Sequence, residues 1–368
     1  MLVVQVLFWL SLGLLLWTHL LYPLAAMALA RVRTRRVRQE AIEPAVTVVI
    51  AAHDEESVIE RRLENLLALD YPPERLEIVV ASDASTDRTD ELVAAIAARE
   101  PRVRLLRCPR GGKVAAQDLA VRGSDAEIVA FSDANATWAP DALRLLVRNF
   151  ADPEVAYVCG QLRIQRADGS NKEGVYWRYE LALREAESRL GSVTGGNGSI
   201  YAVRREDYVE VDPRMGHDLS LPYRMVQRGR RAVYEPAAHA FEKPTPTNET
   251  EYRRKVRMFE HCWLITLRGS MLRGLPPGYL VAMISHRLLR YGSGVLHVVL
   301  LVTSLVVAAA GPPYTWVLAA QFLLAAAALA GVGIARYYAL VTLATLVSLR
   351  NYLRRGVPAT WEAAEGTR

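Results

Sequence analysis

The fold is indicated by three stretches that share one pattern: VTVVIAAHDEE at residues 46–56, LEIVVASDASTD at 76–87 and AEIVAFSDAN at 126–135. Each begins with an apolar run rich in β-branched residues, which is typical of a buried strand, and ends in acidic or amide residues. A shorter run of the same character is VRLLR at 103–107. Helical patterns lie between the strands at 58–69, 89–98 and 114–121. This alternation predicts an α/β domain with a parallel sheet covered on both faces.

In a parallel sheet of this kind, ligands bind in the crevice beyond the carboxyl ends of the strands. Polar residues follow the predicted strands at that edge, namely His53, Glu55, Asp83, Asp133 and Asn135. Mg²⁺ and Mn²⁺ prefer oxygen ligands and commonly bridge carboxylates to substrate phosphates. The set therefore predicts a divalent cation that carries a phosphorylated ligand. The alternative for any single acid is a helix cap or a solvated loop residue, and Asp83 is a candidate for a cap.

Other kinds of site are disfavoured. No G-x-G-x-x-G follows the first strand, as a dinucleotide site requires, and GGK at 111–113 lacks the strand and the spacing of a Walker loop. The three cysteines, Cys108, Cys159 and Cys262, are too widely spaced for a disulfide framework or a cysteine metal site.

The hydrophobic residues are concentrated at the two ends of the chain. Of the 368 residues, 51% are hydrophobic, and residues 1–30 contain no Asp, Glu, Lys or Arg. A transmembrane helix needs about 20 apolar residues, so 1–30 is predicted to span a membrane. A secretory signal is disfavoured, because no basic residue precedes the run and the run is too long. Five arginines follow within 31–38, so the N-terminus is expected outside and the following domain in the cytoplasm.

A second uncharged stretch, 291–335, is too long for a single span and contains Gly311-Pro312-Pro313 near its middle. It predicts a hairpin with spans at about 292–310 and 314–334. Residues 273–290 are expected to include an interfacial helix, with an amphipathic helix packed on the soluble domain as the alternative. Residues 336–368 are expected to hold an interfacial helix at 337–349 and a cytoplasmic tail, with a further span as the alternative.

The formal net charge of +6 supports the same interpretation. Many of the basic residues flank the predicted spans, at 31–38 and 350–355, where they set the topology and face anionic membrane lipids. They are not gathered as a nucleic-acid binder would require, so no nucleic-acid partner is expected. The sequence indicates an integral protein of a bacterial-type cell membrane.

The residues from about 45 to 270 resemble glycosyltransferase family 2, and with the flanking membrane pattern the chain looks like a relative of hyaluronan, chitin, cellulose and poly-N-acetylglucosamine synthases. The motifs that carry the resemblance occur in the family's order: AAHDEE (51–56), ASDASTDRT (81–89), GGK (111–113), SDAN (132–135), GGNGSIYAVRRE (195–206), GHDLSLPYRMVQRG (216–229) and RRKVRM (253–258). The resemblance implies a Rossmann-like GT-A domain over 45–272, a nucleotide-sugar donor (a UDP-sugar is expected), Mg²⁺ or Mn²⁺, and inversion at the anomeric carbon.

The resemblance also assigns roles on the donor side. His53 and Glu55 match contacts to uracil and ribose, and Asp83 matches the acid that reads uracil. Lys113 matches a basic residue near the nucleotide. Asp133 and Asn135 fall on the D-x-D motif that holds the metal on the diphosphate. Asn135 departs from this motif, because it supplies a neutral oxygen in place of a carboxylate.

On the acceptor side, Asp218 matches the catalytic base. Arg254 and Arg257 fall on the Q-x-x-R-W element that packs against diphosphate and acceptor. Gly195, Gly196, Asn197 and His217 are assigned to the same region, and a plain strand-entry turn is the alternative for the glycine loop. Three residues depart from the family pattern: His217 replaces an acid beside the base, Arg254 replaces Gln, and Met258 replaces Trp.

These observations lead to three hypotheses. The favoured one is transfer of one or a few sugars to a lipid-linked or saccharide acceptor at the inner membrane face. The second is a processive synthase that extends and secretes a polymer, which the altered Q-x-x-R-W element disfavours. The third is a catalytically degenerate membrane scaffold, a hypothesis that rests on the departures from the family motifs at Asn135 and Met258.

Overall fold

The computed structural model describes residues 1–164, 174–244 and 248–358. Its strands are β1 (Val46–Ala52), β2 (Leu76–Asp83), β3 (Val103–Cys108), β4 (Ile128–Asp133), β5 (Thr137–Trp138), β6 (Val155–Ile164), β7 (Tyr201–Arg204) and β8 (Arg231–Glu242). Its first helices are α1 (Leu2–Val32), α2 (Ile59–Leu67), α3 (Thr89–Ala97), α4 (Lys113–Arg122), α5 (Ala142–Val147) and α6 (Val175–Leu190). The later helices are α7 (His217–Gln227), α8 (Asn248–Arg268), α9, made of contiguous segments Pro277–Ala282, Met283–Leu288 and Leu289–Tyr291, α10 (Ser293–Val307), α11 (Tyr314–Leu329) and α12 (Gly333–Arg355).

The strands form one sheet with the order β3-β2-β1-β4-β7-β6-β8-β5. The four strands predicted from the sequence, β1 to β4, pair in parallel, which confirms the prediction for this half of the sheet. The other half is mixed, because β7 runs antiparallel between β4 and β6. The carboxyl ends of β1, β2 and β4 therefore lie at one edge, as expected for the crevice.

The sheet is buried on both faces because alternate residues of each strand face opposite cores. In β1, Val48 and Ile50 belong to a core that includes side chains of α2 and α5. Val49 and Ala51 belong to the opposite core, which includes side chains of α4 and α7. All seven residues of β1 are buried, which explains why the strand is continuously apolar.

The N-terminal helix α1 has two packing partners. Phe8 and Leu15, in its first half, pack against Leu300 and Val307 of α10. In its second half, Tyr22 and Ala26 pack against Leu183 of α6, which belongs to the α/β domain. By length and composition, α1 and the segment Ser293–Ala310 are each able to cross a membrane. The structure thus has one apolar helix near the N-terminus and one after the domain.

The C-terminal helices differ from a simple hairpin. The chain turns at Gly311-Pro312-Pro313, as predicted, but the predicted second span, 314–334, is not one continuous helix. It is broken because α11 ends at Leu329 and Gly331 adopts a positive φ of 83°, and α12 then runs at 105° to α11. This bent pair counts at most as one further span.

Helix α12 contains the segment predicted to be interfacial and packs on α8. The Asn351 side chain donates a hydrogen bond of 2.7 Å to Glu260, and the Trp263 indole donates one of 3.4 Å to the Thr345 carbonyl. Residues 359–368 of the predicted tail lie outside the described residues. Helix α9, the other candidate interfacial helix, has Met283 and His286 among its buried residues and so packs on the domain.

Candidate functional site

A single cavity of about 1360 Å³ extends from the carboxyl end of β4 to α9 and α12. It is lined by all the predicted site residues except His53 and Asp83: Glu55, Lys113, Asp133, Asn135, Gly195, Gly196, Asn197, His217, Asp218, Arg254 and Arg257. Side chains of the flanking helices line its far end, among them His19 of α1 and Tyr337 of α12. The cavity therefore joins the crevice of the sheet to the helices next to the apolar segments.

The crevice end is a cluster of charged groups around Asp133, the last residue of β4. The Lys113 ammonium, at the start of α4, forms an ion pair with this carboxylate. The Ser199 hydroxyl lies 3.3 Å from Asp133 Oδ2 and also hydrogen-bonds to Glu242 at the end of β8. Burial, together with the nearby Asp133 carboxylate, raises the pKa of Glu242. Two acids and a lysine thus share one enclosed site.

The donor set of this cluster suits a hard divalent cation. Asp133, Asn135 and Glu242 present oxygen atoms to the same cavity. Among the described residues, no group of three His, Cys, Asp or Glu is placed to hold a metal alone. Mg²⁺ in nucleotide enzymes is commonly held by one or two carboxylates while phosphates and water complete the coordination. The residues fit a cation shared with a diphosphate, and not one caged by the protein.

Asp83 anchors the loop that precedes Lys113. Its buried carboxylate accepts hydrogen bonds from the backbone N–H groups of Gly111 (2.7 Å) and Gly112 (3.1 Å), and it pairs with Arg110 at 2.5 Å. His53 Nδ1 lies 2.9 Å from the Asp83 carbonyl oxygen. Gly112 has a φ of 90°, a conformation that favours glycine. These contacts support the loop from behind, whereas Glu55 lines the cavity itself.

The loop from Gly195 to Ser199 passes through the middle of the cavity. A Cβ atom on Gly196 would lie 2.1 Å from the Tyr157 hydroxyl oxygen, and one on Gly195 would lie 2.6 Å from Arg287 Nη2. At the other end of the loop, a Cβ on Gly198 would lie 3.2 Å from Lys113 Nζ. Close approach on both sides explains the clustered glycines. One end of the loop meets the charged cluster and the other meets Arg287.

Asn197 stabilises this loop from within. Its amide nitrogen donates to the Gly160 carbonyl (2.7 Å), and its amide oxygen accepts from the N–H groups of Ser199 (3.1 Å) and Ile200 (2.9 Å). With both ends of the amide engaged by backbone, Asn197 acts as a structural residue. The expectation that its side chain contacts diphosphate or acceptor does not match this geometry.

Asp218 lies in the first turn of α7 and lines the cavity. The helix dipole is favourable to a negative charge at this position. Its backbone carbonyl oxygen accepts a hydrogen bond of 2.6 Å from the Gly196 N–H group, which fixes the backbone of Asp218 relative to the glycine loop. The start of α7 is thus held next to the Gly195–Gly196 end of the loop.

His217 does not serve as a charged neighbour of Asp218. Its ring is buried, with Nδ1 at 2.9 Å from the Tyr201 hydroxyl and Nε2 at 3.2 Å from the Tyr208 hydroxyl. Burial, and then the nearby Lys113 charge, lower the pKa of His217 to about 3. The imidazole is neutral near pH 7 and makes its hydrogen bonds within the domain core. The expected contact of His217 with diphosphate or acceptor stays a prediction, and in this structure both ring nitrogens lie beside tyrosine hydroxyl groups.

Arg254 and Arg257 approach the cavity from α8. The Arg254 guanidinium forms two hydrogen bonds of 2.9 Å with Glu251 on the same helix. Burial, with Arg254 nearby, lowers the pKa of Arg257. Met258 also lines the cavity, at the position where the resemblance leads one to expect Trp. The basic groups of this motif thus reach the cavity as predicted.

The cavity residues that were not predicted from the sequence include Glu242, Arg184 and Arg287. Glu242 is the last residue of the long strand β8, and a carboxylate at the end of a strand is a signal that the sequence does offer. Arg184 and Arg287 lie within helices, where an arginine usually indicates a solvated face, so the sequence offers no comparable signal for them.

The comparisons with known proteins agree with this architecture. Residues 47–211 match the sequence model of the family described as Glycosyl transferase family 2. A beta-monoglucosyldiacylglycerol synthase of Synechocystis sp. is 31% identical over 163 residues, which cover 43% of this chain and 33% of the relative. A poly-beta-1,6-N-acetyl-D-glucosamine synthase of Staphylococcus aureus is 24% identical over 225 residues, which cover 58% of this chain and 53% of the relative. The chain thus matches about a third to a half of the length of these relatives.

A solved structure resembles nearly the whole chain. The mannosyltransferase PcManGT from Pyrobaculum calidifontis, in complex with GDP-Man and Mn²⁺, superposes with a TM-score of 0.74 at 25% identity. The match covers 95% of this chain and 98% of that one, so it includes the helices on both sides of the α/β domain.

Proposed function

We propose that this protein is a membrane-bound glycosyltransferase, because residues 47–211 match the model of glycosyl transferase family 2 and the chain has a GT-A fold. It transfers a sugar from a nucleotide-sugar donor to a lipid-linked or saccharide acceptor, with inversion at the anomeric carbon. The expected products are cell-surface glycolipids or polysaccharides. The names of two relatives support this class of product: one is a beta-monoglucosyldiacylglycerol synthase and the other a poly-beta-1,6-N-acetyl-D-glucosamine synthase.

One observation supports the proposal above all: a single cavity contains both the metal-type cluster and the candidate base, and it extends to the flanking apolar helices. The donor diphosphate is proposed to lie near Asp133, Asn135 and Lys113. A bound Mg²⁺ or Mn²⁺ would neutralise the charge that develops on the departing diphosphate. Arg254 and Arg257 add positive charge on the side of α8.

Asp218 is proposed as the general base. The acceptor hydroxyl attacks the anomeric carbon from the face opposite the diphosphate, and its proton passes to the Asp218 carboxylate as the new bond forms. The bond between the anomeric carbon and the diphosphate oxygen breaks in the same step. A single base carboxylate on the acceptor side of the glycine loop is the arrangement that this displacement requires.

The proposed membrane arrangement follows from the arginines after α1. Arg31, Arg33, Arg35, Arg36 and Arg38 follow the apolar part of the helix, so the N-terminus is proposed to lie outside and the catalytic domain in the cytoplasm. An acceptor carried by the membrane then reaches the cavity from its far end, near α9 and α12.

A donor screen tests the proposed activity. The full chain, purified in an uncharged detergent, is incubated with UDP- and GDP-sugars and with Mg²⁺ or Mn²⁺, and release of the nucleoside diphosphate is followed. We expect metal-dependent release from at least one donor, and loss of this release on Asp218→Asn. Asp125→Asn, on an exposed loop far from the cavity, is the matched control. Failure of every donor and metal to give release or binding supports the degenerate scaffold instead.

The length of the product distinguishes a processive synthase from an enzyme that transfers one or a few sugars. The beta-1,6-N-acetyl-D-glucosamine polymer synthase among the relatives is the observation in its favour. Products from labelled donor are sized after extraction from the membrane. Products that carry one or a few sugars support the favoured hypothesis, and long polymer made from donor alone supports the alternative.

A further inference from the structure

Two arginines that no motif predicts converge on the glycine loop beside Asp218. Arg184 of α6 donates a hydrogen bond of 3.2 Å from Nη2 to the Gly196 carbonyl oxygen. Arg287 of α9 covers Gly195 so closely that a Cβ there would lie 2.6 Å from its Nη2 atom. Both side chains line the cavity. The two arginines therefore contact Gly195 and Gly196, and Gly196 is the residue whose N–H group bonds to Asp218.

Neither arginine has a carboxylate partner among the ion pairs of the described residues. The Nε and Nη1 atoms of Arg184 are buried and make no hydrogen bond there. Arg287 donates from Nε to the Thr194 hydroxyl at 3.0 Å, which leaves its terminal nitrogens beside the glycine loop. Two cationic groups thus face an enclosed space with donors to spare.

The two buried acids of α6 are committed to other groups. Glu187 accepts hydrogen bonds from Tyr22 (2.8 Å) and Thr194 (2.8 Å), and its Oε1 lies 2.8 Å from His286 Nδ1. Glu180 pairs with Arg290 and lies 3.2 Å from His286 Nε2. These carboxylates therefore hold α1, α6 and α9 together, and they also lie near Arg287. Three guanidinium groups, those of Arg184, Arg287 and Arg290, thus share two carboxylates, which leaves one positive charge in excess.

A buried guanidinium without a counter-charge is costly, so the pair indicates an anionic ligand. Arginine is well suited to phosphate, because its fork of N–H groups matches two phosphate oxygens. The donor diphosphate is placed elsewhere by the proposed function, at the other end of the loop beside Lys113 and Asp133. The anion at Arg184 and Arg287 therefore belongs to the acceptor.

We propose that Arg184 and Arg287 form a subsite for a phosphate group of the acceptor lipid. The reacting hydroxyl then belongs to a sugar or polyol that this phosphate links to the lipid chain. The position fits, because Arg184 belongs to α6, which packs on α1, and Arg287 belongs to α9, which leads directly into α10. The inference rests on the proposed function and narrows its acceptor class.

The test measures binding, so that it does not depend on turnover. The full chain in maltoside micelles is titrated by calorimetry with decyl phosphate, decyl glucoside and inorganic phosphate. We expect decyl phosphate to bind about tenfold or more tightly than either of the other two. The glucoside controls for the alkyl chain, and inorganic phosphate separates a free anion from one attached to a lipid.

Substitutions assign the binding to the two arginines. Arg184→Gln and Arg287→Gln are each expected to weaken decyl phosphate binding by about tenfold, with partial recovery in the Lys variants. Nucleoside diphosphate affinity with Mn²⁺ should stay within about twofold, which also shows that the variants are folded. Arg178→Gln, exposed on the same helix, should change neither affinity.

The outcomes are distinguishable. Equal binding of decyl phosphate and decyl glucoside, or unchanged binding in both Gln variants, overturns the subsite. Inorganic phosphate that binds as tightly as decyl phosphate overturns its assignment to a lipid. A loss of nucleoside diphosphate affinity in the Gln variants would instead place the donor diphosphate at these arginines. Failure of the donor screen with arginine-dependent decyl phosphate binding contradicts the proposed function and leaves the subsite standing.

Discussion

The backbone N–H group of Gly196 donates a hydrogen bond to the backbone carbonyl oxygen of Asp218, with an N–O distance of 2.6 Å. This bond joins two motifs that are 22 residues apart in the sequence. It fixes the start of α7, and so the candidate base, against the glycine loop that lines the cavity. The geometry of the site therefore depends on a residue that contributes no side chain.

Replacement of Gly196 by alanine is expected to disturb this junction. The added Cβ would lie 2.1 Å from the Tyr157 hydroxyl oxygen, in a well-packed part of the core. Overpacking of this kind costs about 1–3 kcal/mol, and it displaces Asp218 as well. We expect a lower thermal unfolding midpoint together with a loss of transfer. Gly278→Ala is the control, because nothing lies within 4 Å of its Cβ position; equal behaviour of the two variants contradicts this account of the loop.

Metal affinity should follow the charge of the crevice. Asn135→Asp adds a second carboxylate beside Asp133 and is expected to tighten Mn²⁺ binding in the presence of nucleoside diphosphate by about tenfold, since carboxylates are preferred ligands of hard cations. Asp133→Asn should weaken it by at least as much. Calorimetric titration of Mn²⁺ measures both. Unchanged Mn²⁺ affinity in both variants would show that the cation is held elsewhere.

The sequence was sufficient to predict the first half of the sheet. Strands β1, β2 and β4 are largely apolar runs because both faces of the sheet are covered there, and runs of that kind can be recognised without the structure. The antiparallel strand β7 was not predicted, since strand order depends on long-range pairing. Gly331 likewise breaks a segment that its apolar composition alone makes a single span.

Residue types were predicted better than the directions of side chains. Asn197 and His217 both lie in segments that line the cavity, as the motifs predict. The Asn197 amide, however, bonds to the backbone of its own loop and to Gly160, and the His217 imidazole lies between two tyrosine hydroxyl groups. Glu242 and Asp133 are more than a hundred residues apart in the sequence, and the Ser199 hydroxyl connects their carboxylates by hydrogen bonds. Arg184 and Arg287 reach the same cavity because α6 and α9 meet through side chains, among them Glu187 with His286 and Glu180 with Arg290, a tertiary arrangement that helical periodicity does not specify.

His217 should make stability depend on pH in a defined direction. Its pKa falls from 6.5 in the unfolded chain to about 3 in the folded protein. The unfolded chain therefore binds more protons between these values, and stability is lost as the pH falls from 6.5 towards 3. At pH 4.5 the loss is about 2–3 kcal/mol relative to pH 7.5.

His217→Gln keeps a hydrogen-bonding side chain that cannot be protonated. The drop in thermal unfolding midpoint between pH 7.5 and pH 4.5 should therefore be smaller in this variant than in the natural protein. Other titrating groups, including Asp118, are present in both proteins. If the two proteins lose stability equally over this range, His217 is not buried in the neutral form.

The membrane topology can be tested with two exposed positions. Val3 and Leu353 are 71% and 69% exposed and lie at opposite ends of the chain, and the natural cysteines are buried. A membrane-impermeant maleimide applied to intact cells should label Val3→Cys and spare Leu353→Cys, because the positive-inside rule places the N-terminus outside. Both should be labelled after the membrane is permeabilised. The reverse pattern on intact cells would contradict the proposed orientation.

The role of Asp218 is tested most directly by measuring turnover and donor binding on the same preparation of Asp218→Asn. If Asp218 takes the proton from the acceptor hydroxyl, kcat for transfer should fall by about 10²–10⁴-fold. The affinity for nucleoside diphosphate with Mn²⁺ should stay within about twofold, and Asp125→Asn should change neither quantity. Transfer at the natural rate by Asp218→Asn, with donor binding intact, would contradict the assignment of the base and with it the proposed mechanism.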